Sequence, residues 1–287
     1  MNWLLADIGG TNTRIAFTGP NGPIVSARVE NDGYTSFDNL LDEHLPTDMK
    51  FAAACVATAG PVTAGGARLT NRNWAISSAI LEKRLGAPVT LINDLAALAA
   101  GVAHIGAGGL APLNQHPVDA RQPVTVLNCG TGVNICSAQP DHRGDPVLWP
   151  SEIGHSALPS SVAAHFADPP ATVEQTFAGK SIANLTGATD GRQATSDPDL
   201  STPRATWARA AGAYVQEVLW ITRPLGGLLL AGSVLRGILA SDAREIFLDA
   251  CSPQPRAGVD LSAIPLAAIT DDAAGLYGCR AVLKGLS

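Results

Sequence analysis

The feature that most constrains this chain is a β-hairpin written twice. Asp7-Ile8-Gly9-Gly10-Thr11-Asn12-Thr13-Arg14 joins two apolar runs through a Gly/Thr turn, and Asn128-Cys129-Gly130-Thr131-Gly132-Val133-Asn134 does so again. Each copy stands at the head of a stretch that alternates strand and helix signals. Repetition of one hairpin type in this way predicts two related α/β lobes facing a cleft. Glycines let a backbone approach an anion closely, and their N–H groups together with a Thr hydroxyl can cradle phosphate. An Asp at the strand's end could hold Mg²⁺ through water. An ordinary Gly-Gly hairpin turn is the alternative, but such a turn needs no flanking Asp, Thr and Arg. The other phosphate loops are absent: there is no GxxxxGK[ST], and no GxGxxG opens a helix after a strand.

The remaining periodicity fills in the order. Trp3–Ile8, Arg14–Phe17 and Ile24–Val29 read as an antiparallel meander. Ser36–Leu45 follows as a helix, then strand Phe51–Thr58, helix Ser77–Leu85, strand Val89–Ile92 and a small-residue helix from Leu95. The second half has strands at Val124–Asn128 and Val133–Ala138, and a polar loop over Thr186–Pro203. A long helix is expected over Ala205–Thr222, strands at Leu228–Ala231 and Ile264–Ala268, and a closing helix over Ala273–Leu283. The expected domains are residues 1–104 with 274–287, and 105–273.

Composition removes several function classes. The chain of 287 residues is 46% hydrophobic and 15% charged, enough for a sizeable core and too apolar for disorder. Its formal charge of −6 and the lack of a basic run argue against nucleic acid or a membrane surface as partner. Five scattered cysteines offer no CxxC spacing, so a zinc knot or dithiol motif is not expected. Leu95–Leu113 carries no formal charge with His104 neutral, but seven Ala, four Gly and Pro112 make it too weakly hydrophobic to span a bilayer. The N-terminal residues lack the basic region of a signal peptide, so a cytoplasmic protein is expected.

Other candidate residues are weaker when taken singly. Asn93-Asp94 marks a strand-to-helix junction, where either residue serves as an N-cap; on this dipeptide alone the cap is the favoured reading. A carboxylate at a strand's C-terminal end is also a common site of catalysis in α/β folds. Ser151-Glu152-Ile153-Gly154-His155 and Glu174 are polar groups in small or apolar surroundings. Leu69-Thr70-Asn71-Arg72-Asn73-Trp74 is a polar loop ending in an aromatic, which suits a sugar and equally suits a plain turn.

Taken in order, these segments resemble the bacterial glucokinases (non-ROK type) of the hexokinase/actin-like ATPase superfamily, over nearly the whole chain. Asp7–Arg14 is similar to the family's first phosphate loop. Gly60-Pro61-Val62, Leu69–Trp74 and Ile92-Asn93-Asp94 are similar to its sugar-side segments, with Glu152, Gly154, His155 and Glu174 following. Ala231-Gly232 resembles the start of its adenosine turn, and Asp272–Gly278 its closing segment. The resemblance implies a two-lobed α/β, ribonuclease H-like fold with an interdomain cleft, and phosphoryl transfer from MgATP to the 6-hydroxyl of glucose. Asp94 would be the catalytic base. Asn71, Asn93, Asp94, Glu152, His155 and Glu174 would bind the sugar. Gly9, Gly10, Thr11, Gly130, Thr131, Gly132 and Gly232 would hold the nucleotide, with Asp7 orienting Mg²⁺ through water. Domain closure would exclude water from the reacting phosphate. Family likeness also implies a homodimer.

The chain departs from that pattern at four positions, three of them on the nucleotide side. Asn128 and Asn134 stand where the second phosphate loop has its outer glycines, Ser233 where a second glycine of the adenosine turn is usual, and Ile153 where a small residue is usual. Asn tolerates positive φ better than other non-Gly residues, so the turn can survive. The alternative reading is a glucose-binding sensor with weak or no kinase activity. A DNA-binding repressor of the related sugar-kinase type is not expected, because the phosphate loop begins at residue 7 and the Cys/His zinc cluster is missing.

Overall fold

A computed structural model describes residues 2–70 and 72–286. The chain divides into two compact units: Met1–Gly109 with Pro140–Leu148 and Asp271–Ser287, and Leu110–Gln139 with Trp149–Thr270.

In the first unit, β1 (Asn2–Ile8), β2 (Asn12–Thr18) and β3 (Ser26–Glu30) form the meander. Helix α1 (Phe37–His44) leads to β4 (Phe51–Thr58), which lies parallel to β1. Three short strands, β5 (Val62–Thr63), β6 (Gly66–Arg68) and β7 (Ala75–Ser77), make a small sheet of their own. Helix α2 (Ser78–Leu85), β8 (Val89–Asn93) and α3 (Asp94–Gly101) follow, and the main sheet runs β3-β2-β1-β4-β8.

The two-residue period of β1 sorts its side chains onto opposite faces. Leu4, Ala6 and Ile8 pack with Phe37, Leu40 and Leu41 of α1. Trp3 and Leu5 pack on the other face with Leu276, Cys279 and Leu283 of the C-terminal helix (Ala274–Gly285). Asp7 continues the Trp3/Leu5 series, so the pleat puts its carboxylate on the face that the C-terminal helix covers. A Cβ on Gly275 would lie 2.7 Å from Asp7 Oδ2.

The second unit contains β9 (Leu110–Pro112), β10 (Val124–Cys129) and nearly all of β11 (Val133–Pro140), and β12 (Pro146–Ser151) enters it at Trp149. Helices α4 (Ser160–Ala163), α5 (Val173–Phe177), α6 (Gly179–Thr186), α7 (Gly191–Ser196) and α8 (Ser201–Thr222) precede β13 (Gly227–Ala231). Helices α9 (Ser233–Leu239) and α10 (Arg244–Cys251) then lead to β14 (Leu266–Ile269). The sheet order β12-β11-β10-β13-β14-β9 repeats, in its first five strands, the order of the first unit. In both, a hairpin strand is followed by two strands parallel to it. The core here is built on α8, whose Trp207, Tyr214, Val215 and Val218 are fully or nearly fully buried.

The polar stretch Thr186–Pro203 is not the loop its composition predicts. Asp190 caps α7 by accepting the Gln193 amide at 2.8 Å, and α8 begins at Ser201. Buried Arg204 donates to Ala194 O (3.2 Å), Asp197 O (2.7 Å) and Asp242 Oδ1 (2.7 Å). These tertiary partners satisfy a backbone that polar residues would otherwise leave to water. The edge strand β12, whose apolar run is bracketed by Pro146 and Pro150, and the β5–β7 sheet, whose strands are only two or three residues long, are not read from sequence either.

Candidate active site

In the first unit, β1 and β8 flank β4, and their C-terminal ends carry the acidic groups: Asp7 pairs in register with Ala57, and Asn93 with Thr58. Asn93 is the N-cap of α3. Its Oδ1 accepts the Leu95 amide at 2.9 Å and the Ala96 amide at 3.4 Å, while its Nδ2 donates to Gly60 O at 3.3 Å. Capping therefore falls to Asn93, and Asp94, at the first helical position, accepts the Leu95 amide at 2.9 Å. The Asp94 carboxyl is pushed up to about 7, first by desolvation and second by the negative charge of Asp7. Asp7 is itself pushed up to about 6 by burial, opposed by Arg14 and reinforced by Asp272. Arg14 lies 4.0 Å from Asp7 Oδ2 and 3.1 Å from Asp272 Oδ1.

The Gly9-Gly10-Thr11 turn is braced from a distance. Gly9 N donates to Asn12 O at 3.0 Å. Fully buried Asn31 donates to Gly9 O (2.9 Å), accepts from Thr13 Oγ1 (2.8 Å), and sends its backbone N–H to Thr11 O (2.9 Å). Arg72 donates to Gly10 O at 2.9 Å and stacks over Trp74 at 5.5 Å, tying the stretch 72–74 to the phosphate-type turn. Sequence reading misses Asn31, whose partners lie about twenty positions away. Asn71 lies outside the described residues.

In the second unit, Gly130 N closes on Gly132 O at 3.0 Å, and Gly130 O accepts from Gly179 N, at the start of α6, at 2.7 Å. Gly232 has φ +97, and a Cβ there would meet Cys129 O at 2.2 Å and Asn128 Oδ1 at 2.7 Å, so only glycine fits. Thr131 is exposed at the tip of the turn. Glu174, in the first turn of α5, accepts the Val133 amide at 3.3 Å, and its Oε2 lies 3.0 Å from where a Cβ on Gly132 would sit and 3.3 Å from one on Gly154. Gly154 itself presses on β11, since its Cβ would fall 2.2 Å from Val133 O. Glu152 accepts from Asn134 Nδ2 at 2.8 Å. His155 is exposed and closes the short turn by donating its backbone N–H to Glu152 O at 3.1 Å. Glu152, His155 and Glu174 are thus gathered around Val133 and Asn134, beside the Gly130–Gly132 turn.

Among the described residues no group of three or more His, Cys, Asp or Glu side chains could hold a metal ion directly. The donor set instead suits a hydrated divalent cation, whose charge would favour the ionised forms of Asp7 and Asp94. Among the described residues, no helix is long and apolar enough to cross a membrane.

Comparison with known proteins accounts for this geometry. A family profile described as Glucokinase matches residues 4–168. The glucokinase of Nitrobacter hamburgensis is 26% identical over 96% of this chain and 95% of its own. The solved glucokinase of an Antarctic psychrotroph shares the fold, with a TM-score of 0.81, 22% identity and 99% of each chain covered. A ROK family glucokinase from Streptomyces griseus, solved with glucose and AMPPNP, aligns with a TM-score of 0.66 and 17% identity over 98% of each chain. The architecture is thereby the α/β fold of the hexokinase/actin-like ATPases, and, with the profile covering more than half of its length, this chain belongs to the glucokinase family.

Proposed function

We propose that the protein transfers the γ-phosphoryl group of ATP to the 6-hydroxyl of glucose, giving glucose 6-phosphate and ADP. The observation that carries this reading is the division of labour at the end of β8: Asn93 caps α3, and Asp94 keeps a carboxyl poised to take a proton near neutrality. As the sugar oxygen attacks the γ-phosphorus, an O–P bond forms, the bond to the β–γ bridging oxygen breaks, and the hydroxyl proton passes to Asp94. Glu152, His155 and Glu174, with Asn93, hydrogen-bond the remaining hydroxyls; a carboxylate accepts from two vicinal hydroxyls and rejects analogues lacking them. Asn93 Oδ1 is already engaged with two amides, so its contribution to the sugar is the smaller.

The two Gly/Thr turns, with Gly232, hold the nucleotide in this reading. Mg²⁺ would be held by Asp7 through water, and when bound it neutralises developing charge on the phosphates. A glucose sensor without kinase activity finds no support in the comparisons. We also take the protein to be cytoplasmic and a homodimer; light scattering of the purified protein tests the dimer. The deciding experiment is a coupled ADP-release assay with purified protein, MgATP and glucose. Glucose-dependent turnover that collapses in Asp94→Asn upholds the reading, and normal turnover in that variant overturns it.

A further inference from the structure

Asn134 stands where the resembled phosphate loop carries a glycine, opposite Asn128 in the β10–β11 hairpin. A side chain at this place reads from sequence as an obstruction beside the nucleotide. The structure instead engages both ends of it with one segment. Asn134 Nδ2 donates to Glu152 Oε2 at 2.8 Å, and its Oδ1 accepts the Ile153 amide at 3.0 Å and the Ile135 amide at 3.1 Å. A glycine could make none of these bonds.

The other residues around this point restrain the same segment. Ile153, another departure from the family pattern, packs against the core of the second unit. Gly154 lies on Val133 O too closely for any side chain. The segment Glu152–His155 is therefore held at its backbone by packing, at Ile153 N by Asn134 Oδ1, and at the Glu152 carboxylate by Asn134 Nδ2. Ile153 and Asn134 act together, one anchoring the segment in the core and the other fixing the carboxylate that packing leaves exposed.

We propose that Asn134 is a positioning residue for the sugar. It orients Glu152 by occupying Oε2, so that Oε1 accepts from the glucose hydroxyls, and it serves the sugar side of the reaction although it lies in a loop of the nucleotide-binding type. This inference rests on the glucokinase reading of Glu152. A carboxylate held in advance loses less freedom on binding than one that must be ordered by the ligand.

The test compares wild type with Asn134→Ala and Asn134→Asp. The readouts are glucose Kd by calorimetry without nucleotide, and KM for glucose and for ATP in the coupled assay. Asn134→Ala is expected to raise glucose Kd and KM about tenfold, the scale of one charge-assisted hydrogen bond, with the loss falling on glucose KM rather than on kcat or ATP KM. Asn134→Asp keeps an acceptor for the Ile153 amide but sets a second carboxylate against Glu152, so it should weaken glucose more than Ala does. A merely structural role predicts the reverse, because Asp is the closer match in shape. In a Glu152→Ala background, Asn134→Ala should add little. Glucose Kd within twofold of wild type in both variants, or a loss confined to ATP KM, overturns the assignment while leaving the kinase reading intact. A wild-type protein that binds no glucose overturns both.

Discussion

The negative charge of Asp7 raises the proton affinity of Asp94, although the two residues sit at the ends of strands that are separated by β4. Desolvation is the larger cause at both carboxyls, and the charge of Asp7 adds to it at Asp94. A base with an affinity near the operating pH accepts a proton readily and is still ionised in a useful fraction of molecules.

The first consequence is kinetic. Asp94 must be deprotonated to accept the hydroxyl proton, so kcat/KM for glucose should rise with pH and level off by about 7, sooner where bound Mg²⁺ favours the ionised carboxyl. Rates measured from pH 5 to 9 check this, and a flat profile between pH 5 and 7 contradicts it.

Removing the charge at Asp94 should separate activity from stability. Asp94→Asn is expected to lower kcat by about 10²- to 10⁴-fold, the usual contribution of a general base. The folded-state carboxyl is raised above its ordinary 3.8, so its contribution to stability is full below about 4 and is lost as pH rises through about 7. The asparagine variant loses nothing over that window. Its Tm should therefore exceed that of wild type by a few degrees at pH 8, with the gap closing at pH 4.

Two glycines one turn apart on the C-terminal helix should give opposite phenotypes. A Cβ at Gly275 meets the movable end of Asp7, 2.7 Å from Oδ2, whereas one at Gly278 meets backbone, 1.7 Å from Ala97 O. Gly275→Ala should fold with near-wild-type Tm and lose at least tenfold in kcat/KM for ATP. Gly278→Ala must push the helix away from α3 and should cost about 3 kcal/mol or more, the upper end for overpacking. Circular dichroism melts beside initial rates distinguish the two.

Asn93 should prove mainly a structural residue. Asn93→Ala removes the side chain that accepts the Leu95 and Ala96 amides and should destabilise the protein by about 1 kcal/mol. Asn93→Ser should restore most of that stability. Denaturant midpoints for the three proteins provide the measurement; equal loss in both variants would show that capping is not its role.

Much of this architecture was legible in the residue order. The paired Gly/Thr hairpins, the strand Phe51–Thr58 and the junction at Asn93-Asp94 are local patterns, set by two-residue alternation, turn chemistry and capping preference. The helices within 186–203 were not legible, because Arg204 satisfies that polar backbone from within the core.

The chain's own order of residues determines that two such hairpins form and where the acidic groups lie along it. Tertiary structure alone decides that Asp7 raises Asp94 and that Asn134 reaches Glu152 instead of obstructing a turn. The physical reason is that desolvation and side-chain pairing depend on neighbours brought in by packing. Those neighbours are distant in sequence: β4 lies between the two carboxyl-bearing strands, and eighteen positions separate Asn134 from its partner.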